Sequence, residues 1–289
     1  MHPNHREVMI MGRFAIKTPP QHVSWDDTLA VWKEADQIDL FESAWVFDHL
    51  YPIAGDPHGP CLEAWVTLTA LARATSRIRV GTMVHGMHFR HPAVTAKMAA
   101  TLDIVSGGRL NLGLGAGWFQ TEVDAYGLEL GTIKERMDRF EEGVEVIARL
   151  LSDRSLDFEG DYYTFTDAHC EPKGPQSPRP PIAIGGGGER RTLRTVAKWA
   201  DIWDALRIEP DAWSHKNDVL LSHCEAVGRD ADEITRSAHV FTPADADPNA
   251  LADQAARLFE TGLDMAVFSL RAPFDPGMVQ PLAEALQQV

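Results

Sequence analysis

The chain has 289 residues, of which 44% are apolar and 24% charged, and this length suits one large α/β domain better than two average ones. The formal net charge of −15 opposes a general affinity for nucleic acid or anionic membranes, because both require an excess of Lys and Arg. Three widely separated cysteines with no C-x-x-C pair, and no apolar stretch near the roughly 18 residues of a membrane helix, predict a soluble, cytoplasmic protein without disulfides.

Eight short apolar segments of strand length occur along the chain, each bounded by Gly, Pro, Asp or Ser. They lie at residues 12–17, 44–47, 78–84, 110–115, 181–184, 202–206, 236–242 and 265–270. Helical patterns lie between them: Ser24-x-x-Asp27 is typical of a capping box, Pro92 suits a first turn, and apolar residues recur every three or four positions over 137–151. This alternation predicts a single (β/α)8 TIM barrel over residues 1–289.

One connection is much longer than the others. The fourth and fifth predicted strands start about seventy residues apart, and the excess contains a predicted hairpin over residues 156–165 that turns near Gly160. We therefore expect an insertion between strands four and five. Extra loop structure on a barrel tends to lie over a ligand.

The second strand ends in Asp48-His49. Because reacting groups of a barrel collect where strands end, His49 is a candidate to donate or accept a proton, with Asp48 fixing its orientation. The alternative is that Asp48 caps backbone amides while His49 packs.

The third strand leads into His85, His88 and His91, which recur every three residues. A metal site is disfavoured, since no carboxylate stands at ligand spacing and all three imidazole rings would have to point at a single ion. We expect instead an active-site loop with His85 facing the pocket.

The fourth strand continues through alternating glycines, Gly113 to Gly117, into Trp118 and Glu122. Such glycines let a flat ring lie against the backbone, with the indole as an apolar wall and Glu122 as a charge. The alternative is tight packing between strand and helix.

Four consecutive glycines, Gly185, Gly186, Gly187 and Gly188, follow the fifth strand and precede a helix. Exposed backbone N–H groups at a helix N-terminus make an anion site, so the run predicts phosphate binding. Arg190, Arg191, Arg194 and Lys198 follow and add positive charge. The run matches no Walker or G-x-G-x-x-G dinucleotide pattern.

Seven motifs occur in order along the chain. They are WVFDHL (45–50), SRIRVGT (76–82), RHPAV (90–94), DIVSGGRL (103–110), GAGW (115–118), YG (126–127) and IAIGGGGERR (182–191). Together they resemble the luciferase-like oxidoreductases, notably the coenzyme F420-dependent branch. The resemblance covers about residues 12–235 and depends on the ordered set, since each motif alone is modest.

The resemblance implies a deazaflavin or flavin across the carboxyl-end mouth of the barrel, with its phosphate on Gly185–Gly188. It also implies a cis Met83–Val84 peptide behind the ring. The other residues that it places against the cofactor are Asp48, Thr82, Met83, Val84, Gly117 and Trp118. His85, Trp118 and Glu122 are expected to line the substrate pocket.

Two positions depart from the F420-dependent sugar-phosphate and alcohol dehydrogenases of that family. Trp118 stands where they carry glutamate, and Ile53 where they carry tryptophan. We therefore expect hydride transfer between coenzyme F420 and a small organic acceptor that is unsaturated, nitro or carbonyl in type, with His49 as proton donor and Asp48 orienting it.

Three alternatives stay open from the sequence. The first is a monooxygenase that uses reduced FMN and oxygen, which needs a dry, covered site. The second is a non-catalytic flavin-binding barrel, and the third is a metal hydrolase built on the three histidines. The basic residues after Gly188 favour F420, whose polyglutamate tail needs a basic exit. The resemblance also implies a homodimer.

Overall fold

A computed structural model of the protein describes residues 12–289. Its strands, in chain order, are β1 (Arg13–Lys17), β2 (Phe41–Val46), β3 (Arg79–Thr82), β4 (His85–Gly86), β5 (Leu110–Gly115), β6 (Leu156–Glu159), β7 (Thr164–Ala168), β8 (Ile182–Gly185), β9 (Ile202–Asp204), β10 (Thr235–Thr242) and β11 (Met265–Leu270). The helices are α1 (Trp25–Asp36), α2 (Ala64–Ala74), α3 (Pro92–Ser106), α4 (Gln120–Ala125), α5 (Ile133–Ser152), α6 (Thr192–Trp199), α7 (Pro210–Val227), α8 (Pro248–Phe259) and α9 (Val279–Leu286).

Eight parallel strands close into a barrel, which confirms the predicted (β/α)8 fold. The order around the barrel is β1, β2, β3, β5, β8, β9, β10 and β11. Closure is shown by β11, which pairs with β10 on one side and with β1 on the other, where Ile16 lies opposite Phe268. Each of the eight predicted apolar segments supplies one barrel strand.

The third strand is shorter than predicted. It ends at Thr82 instead of Val84, and pairing with β5 resumes only in the two-residue β4. The Thr82 hydroxyl takes over the hydrogen bonds of the ladder here, since it donates to Gly113 O at 2.9 Å and accepts from Gly113 N–H at 3.1 Å. Met83 and Val84 lie between β3 and β4, where Met83 N–H donates to Val46 O of β2 at 2.6 Å, and the peptide between them is cis.

The predicted helix signals are confirmed. Ser24 and Asp27 form a reciprocal capping box at α1, and Pro92 occupies the first turn of α3. Phe140, Val144 and Ile147 of α5 are fully buried against the barrel. Burial of each such side chain contributes about 1.5–3 kcal/mol, so this stripe holds α5 beside the mouth of the barrel.

The insertion between the fourth and fifth barrel strands contains the predicted hairpin, formed by β6 and β7. Gly160 N–H donates to Tyr163 O at 2.9 Å across its turn, and Glu142 of α5 accepts from Asp161 N–H at 2.9 Å. The hairpin therefore packs on α5 and near His91 at the start of α3, with Tyr163 edge-on to that ring. The expectation that it lies over the ligand is wrong, because residues 153–181 contribute nothing to the cavity described below.

Within residues 12–289, no helix is both long enough and apolar enough to cross a bilayer.

Candidate active site

A cavity of about 970 Å³ lies at the carboxyl ends of the barrel strands. All eight barrel strands, or the loops directly after them, contribute to its wall. In chain order the contributions include Lys17, Phe47–His49, Met83–Val84, Gly115–Trp118, Gly185–Gly188, Leu206–Arg207, His239 with Phe241, and Ser269–Ala272. Reacting groups of barrel enzymes gather at this end, so the cavity is the candidate active site.

His49 lies in the cavity wall and is held by Glu122, which comes from α4. The His49 Nδ1–H donates to Glu122 Oε2 at 2.9 Å, and Leu50 N–H donates to the other carboxylate oxygen. The Glu122 side chain is fully buried. A carboxylate on Nδ1 fixes the ring tautomer and leaves Nε2 to meet a ligand.

This geometry corrects two predicted roles. Glu122 does not line the cavity; it orients His49 from behind. Asp48 does not orient His49, because the two neighbouring side chains bind different partners, His85 and Glu122 respectively.

Asp48 instead belongs to a buried network with His85 and Arg90. Its Oδ2 accepts from His85 Nδ1–H and from Arg90 Nη1–H, both at 2.6 Å. Burial by itself raises the pKa of Asp48, but the hydrogen bond from His85 and the charge of Arg90 outweigh it and hold that pKa below its ordinary value. Asp48 is therefore an anion. Its other oxygen, Oδ1, is buried without a hydrogen-bond partner within residues 12–289 and belongs to a residue of the cavity wall.

The prediction that His85 faces the pocket is wrong. His85 is fully buried, with Nδ1 on Asp48 and Nε2 3.1 Å from the Thr95 hydroxyl. His88 lines the cavity in its place, and neither of its ring nitrogens has a hydrogen-bond partner in the described part of the chain. Burial lowers the pKa of His88 to about 4, so its ring is neutral near pH 7.

The three histidines of the predicted loop thus have separate surroundings. His91 caps α3, where its Nδ1 accepts from Ala93 N–H at 3.3 Å. Across residues 12–289, no group of three or more His, Cys, Asp and Glu side chains is arranged to hold a metal ion.

Aromatic rings surround His49. The ring centroids of Phe47, Trp118 and Phe119 lie 4.9, 5.9 and 6.1 Å from the imidazole centroid, each edge-on. Trp118 is 59% exposed, so it forms the rim of the cavity. These rings make an apolar surround for the one polar edge of His49.

Val84 fills the space between two glycines of neighbouring strands. A Cβ on Gly115 would lie 2.6 Å from the Val84 side chain, and one on Gly185 would lie 3.0 Å from it. Met83 and Val84 line the cavity as predicted. Thr82 does not, because its side chain is spent on the hydrogen bonds to Gly113.

The four glycines after β8 line the cavity along one side. The N–H groups of Gly187 and Gly188 take part in none of the hydrogen bonds within residues 12–289. Gly186 has a φ of +124°, which favours glycine. The loop runs directly into α6, so it presents unpaired donors where an anionic group of a ligand can bind.

A groove of about 830 Å³ shares Met137, Gly187, Gly188 and Thr192 with the cavity and leads away across α6. The four residues predicted to form a basic exit differ in their positions and in their ion pairs. Arg190 lines the groove and forms no ion pair with the described residues. Arg191 and Arg194 line it as well, but both bind Glu141, and Lys198 is not part of it. Lys134 and Lys216 also line the groove and were not predicted from the sequence; they bind Asp138 and Glu189.

Arg207, Phe241 and Arg271 are here called the basic wall. Phe241 lies near the end of β10, and Arg207 and Arg271 follow β9 and β11. Both guanidinium groups lie over the Phe241 ring, at 5.3 and 5.1 Å from its centroid. They were not among the site residues predicted from the sequence, which follow the second to fifth strands. The same rule, applied to the remaining strand ends, identifies Arg207 and Arg271.

Lys17 lies at the base of the cavity, inside the barrel. Burial lowers its pKa to about 8, although the charge of Asp204 opposes the shift. His239 lies nearby, with Nε2 3.2 Å from both Asp204 Oδ1 and Met83 Sδ. The sequence offered no sign that this strand lysine points inward.

The sequence model of the luciferase-like monooxygenase family matches residues 7–286. An F420-dependent glucose-6-phosphate dehydrogenase of Segniliparus rotundus is 31% identical over 259 residues, which are 85% of this chain and 72% of that protein. A second, from Amycolatopsis mediterranei, is 36% identical over 168 residues, or 57% of this chain. The chain spans about half the length of several such relatives, with 47% of the Amycolatopsis protein covered.

Among solved structures, an F420-dependent secondary alcohol dehydrogenase in complex with an F420–acetone adduct is similar with a TM-score of 0.85 and 19% identity, covering 95% of this chain and 98% of that one. The EDTA monooxygenase of Chelativorans sp. BNC1 gives a TM-score of 0.81 and 13% identity over 96% of this chain and 94% of that one. At such identities the likeness establishes the barrel fold alone.

Proposed function

The chain belongs to the luciferase-like monooxygenase family, and we propose that it is an oxidoreductase that transfers a hydride between coenzyme F420 and a small organic acceptor. The observation that carries this proposal is the His49–Glu122 pair in the wall of a cavity that also holds unpaired backbone donors. A proton-transfer group and an anion site therefore line the same cavity. Hydride transfer with a phosphate-bearing cofactor requires both.

The residues present fit such a cofactor. The buried Asp48 Oδ1 lacks a donor within residues 12–289 and can accept a hydrogen bond from a bound ring. Gly187 and Gly188 would hold a phosphate through their N–H groups. Met83, Val84, Gly117 and Trp118 supply an apolar surface on which a flat ring can rest.

F420 supplies or accepts the hydride when it is bound. His49 Nε2 would donate a proton to the reduced substrate or remove one in the reverse direction, while Glu122 holds the ring through Nδ1. Phe47 and Trp118 would restrict water around that nitrogen and strengthen the hydrogen bond that it makes to the substrate.

Relatives named as glucose-6-phosphate dehydrogenases suggest one substrate class, but this chain differs beside His49. Trp118 lies 5.9 Å from the imidazole, centroid to centroid, where the resemblance places a carboxylate in the dehydrogenases. The only acidic side chain in the cavity wall of the described residues is Asp48, whose Oδ2 is already bound. We therefore propose reduction of an unsaturated, nitro or carbonyl-type acceptor.

The groove beside α6 favours F420 over FMN. It extends from the glycine loop, and Arg190 is the cation of its lining that has no ion pair within residues 12–289, whereas Lys134 and Lys216 are paired with Asp138 and Glu189. A polyglutamate tail would find positive charge there, whereas FMN has no tail to place.

The test is a parallel fluorescence titration of the purified apoprotein with F420 and with FMN. We expect micromolar or tighter binding of F420 and weaker binding of FMN. The reverse order would make the protein a flavin enzyme, with the reduced-FMN monooxygenase as the leading function. Failure of both cofactors to bind would overturn the proposal.

A further inference from the structure

The basic wall carries two positive charges that have no role in the proposed hydride and proton transfer. Arg207 and Arg271 contribute no hydrogen bond from their guanidinium groups and no ion pair within residues 12–289. The cavity wall contains four Lys or Arg residues and one acidic residue, Asp48, which His85 and Arg90 already neutralise. This excess of positive charge stands in a chain whose formal net charge is −15.

The two guanidinium groups share one aromatic ring. Both lie within 5.3 Å of one ring centroid, so they are at most about 10 Å apart. Like charges at this distance repel each other, and the Phe241 ring offsets only part of that repulsion. Both guanidinium groups line the same cavity, and the planar fork of each matches the shape of a carboxylate or phosphate.

The residue before Arg207 has an unusual backbone conformation. Leu206 has a φ of +62°, a conformation that non-glycine residues rarely adopt, and its N–H donates to Asp204 Oδ1 at 3.0 Å. Leu206 and Arg207 both line the cavity. Unfavourable backbone of this kind persists when the surroundings enforce it and is concentrated at functional sites.

The cavity also has room for a second ligand. Its volume of about 970 Å³ is at the upper end of the roughly 300–1,000 Å³ usual for ligand sites. The strands β10 and β11 lie across the barrel from β3 and β5, which carry Val84 and Trp118. A ring resting on the latter pair would leave the space before the basic wall to the substrate.

We propose that Arg207 and Arg271 form a binding site for an anionic group of the substrate, a carboxylate or a phosphate. The proposal rests on the proposed function in placing this group on the second ligand of the same cavity. The substrate is then a small acid whose reducible part is directed toward His49 by its own charge. The phosphate and the polyglutamate tail of the cofactor are anionic as well. The experiment therefore distinguishes an anionic group of the substrate from one of the cofactor.

The experiment uses benzoate and its neutral isostere benzamide as probes, measured by calorimetry with the apoprotein and with the F420-loaded protein. The variant is Arg207→Gln/Arg271→Gln. The matched control is Arg154→Gln/Arg257→Gln, which removes the same charge from exposed positions outside the cavity. The affinity for F420 is measured in parallel by fluorescence for each protein.

We expect benzoate to bind the native protein and the control at least tenfold more tightly than benzamide. In Arg207→Gln/Arg271→Gln this preference should disappear while F420 affinity is retained, and added salt should weaken the preference in the native protein. Equal binding of both probes to the native protein, or a preference that survives in the variant, would overturn the site.

A tenfold loss of F420 affinity in the variant with benzoate binding unchanged would assign the arginines to the cofactor and overturn the substrate assignment. If F420 binds none of the proteins, the proposed function fails, but the benzoate preference of the apoprotein still decides the anion site.

Discussion

Two walls of the cavity differ in whether their charged side chains have partners within the protein. The wall after β2, here called the paired wall, contains Asp48 and His49, and each has a buried partner of its own in His85 and Glu122. The basic wall carries Arg207 and Arg271 on one aromatic ring without any acidic partner in residues 12–289. In the first wall the protein itself supplies a partner for each titratable side chain. In the second wall the partner of the two arginines would be a ligand.

The difference separates catalysis from recognition. A group that moves a proton must keep one orientation throughout the reaction, so its partner belongs to the protein. A group that recognises an anion gains most when the anion itself supplies the missing partner. Changes in the paired wall should therefore affect turnover and stability, and changes in the basic wall should affect ligand affinity.

The largest effect is expected from His49→Ala. Loss of a positioned proton donor should lower kcat by about 10²–10⁴-fold, while F420 binding measured by fluorescence is unchanged. His58→Ala, at an exposed position outside the cavity, is the control. Retained turnover with the cofactor bound would show that His49 is not the proton-transfer group.

Asp48→Ala should affect stability more than any other change in the paired wall. It leaves the buried His85 without its anion and the half-buried Arg90 with Glu63 alone, and removal of one partner of a buried pair costs about 3–5 kcal/mol. Urea unfolding measures the loss. Asp39→Ala, where the carboxylate is 97% exposed, should change the free energy of unfolding little. Similar values for both variants would refute the buried network.

Glu122→Gln should lower kcat by about 10–100-fold with little change in melting temperature. The amide still accepts from Leu50 N–H, but it faces His49 Nδ1 with a donor or a weaker acceptor and no longer fixes the tautomer. A merely structural role for Glu122 would instead lower the melting temperature and leave kcat intact, and that result would contradict the orienting role.

Lys17, at the base between the two walls, should give a pH-dependent stability. Its pKa is about 8 in the folded protein and 10.5 ordinarily, so between these values the unfolded chain holds the proton more tightly. The free energy of unfolding should therefore rise with pH above about 8, relative to Lys17→Met, by at most about 1.4 kcal/mol per unit. Urea unfolding at three pH values from 7.5 to 9.5 measures it; parallel profiles would disprove the shift.

The smallest effect is expected from Phe241→Leu in the basic wall. Loss of the ring beneath Arg207 and Arg271 removes about 0.5–1 kcal/mol of cation–π stabilisation for each exposed cation. Benzoate affinity should fall by about two- to fivefold, with kcat unchanged. A larger fall in kcat than in benzoate affinity would show that the two walls do not divide the work as proposed.

The barrel was predictable because its signals are local. Strand-length apolar runs, the Ser24–Asp27 cap, Pro92 and the turn near Gly160 depend on near neighbours in the chain, and each is confirmed. The position of candidate groups at strand ends follows from the fold itself, so His49, Trp118 and the four glycines were identified as cavity residues from the sequence, and the family resemblance added Met83.

Partners within the site were not predictable in the same way. Asp48 and His49 are adjacent, so the sequence suggested that they act together, but successive side chains of extended backbone point to opposite sides, and the true partner of His49 is 73 residues away. Likewise, His85 of β4 is buried against Thr95 of α3, away from the cavity, while His88 reaches the cavity. Composition and local pattern thus determined the barrel and its active end, whereas the pairing of charges depended on contacts between distant strands that only the closed barrel brings together.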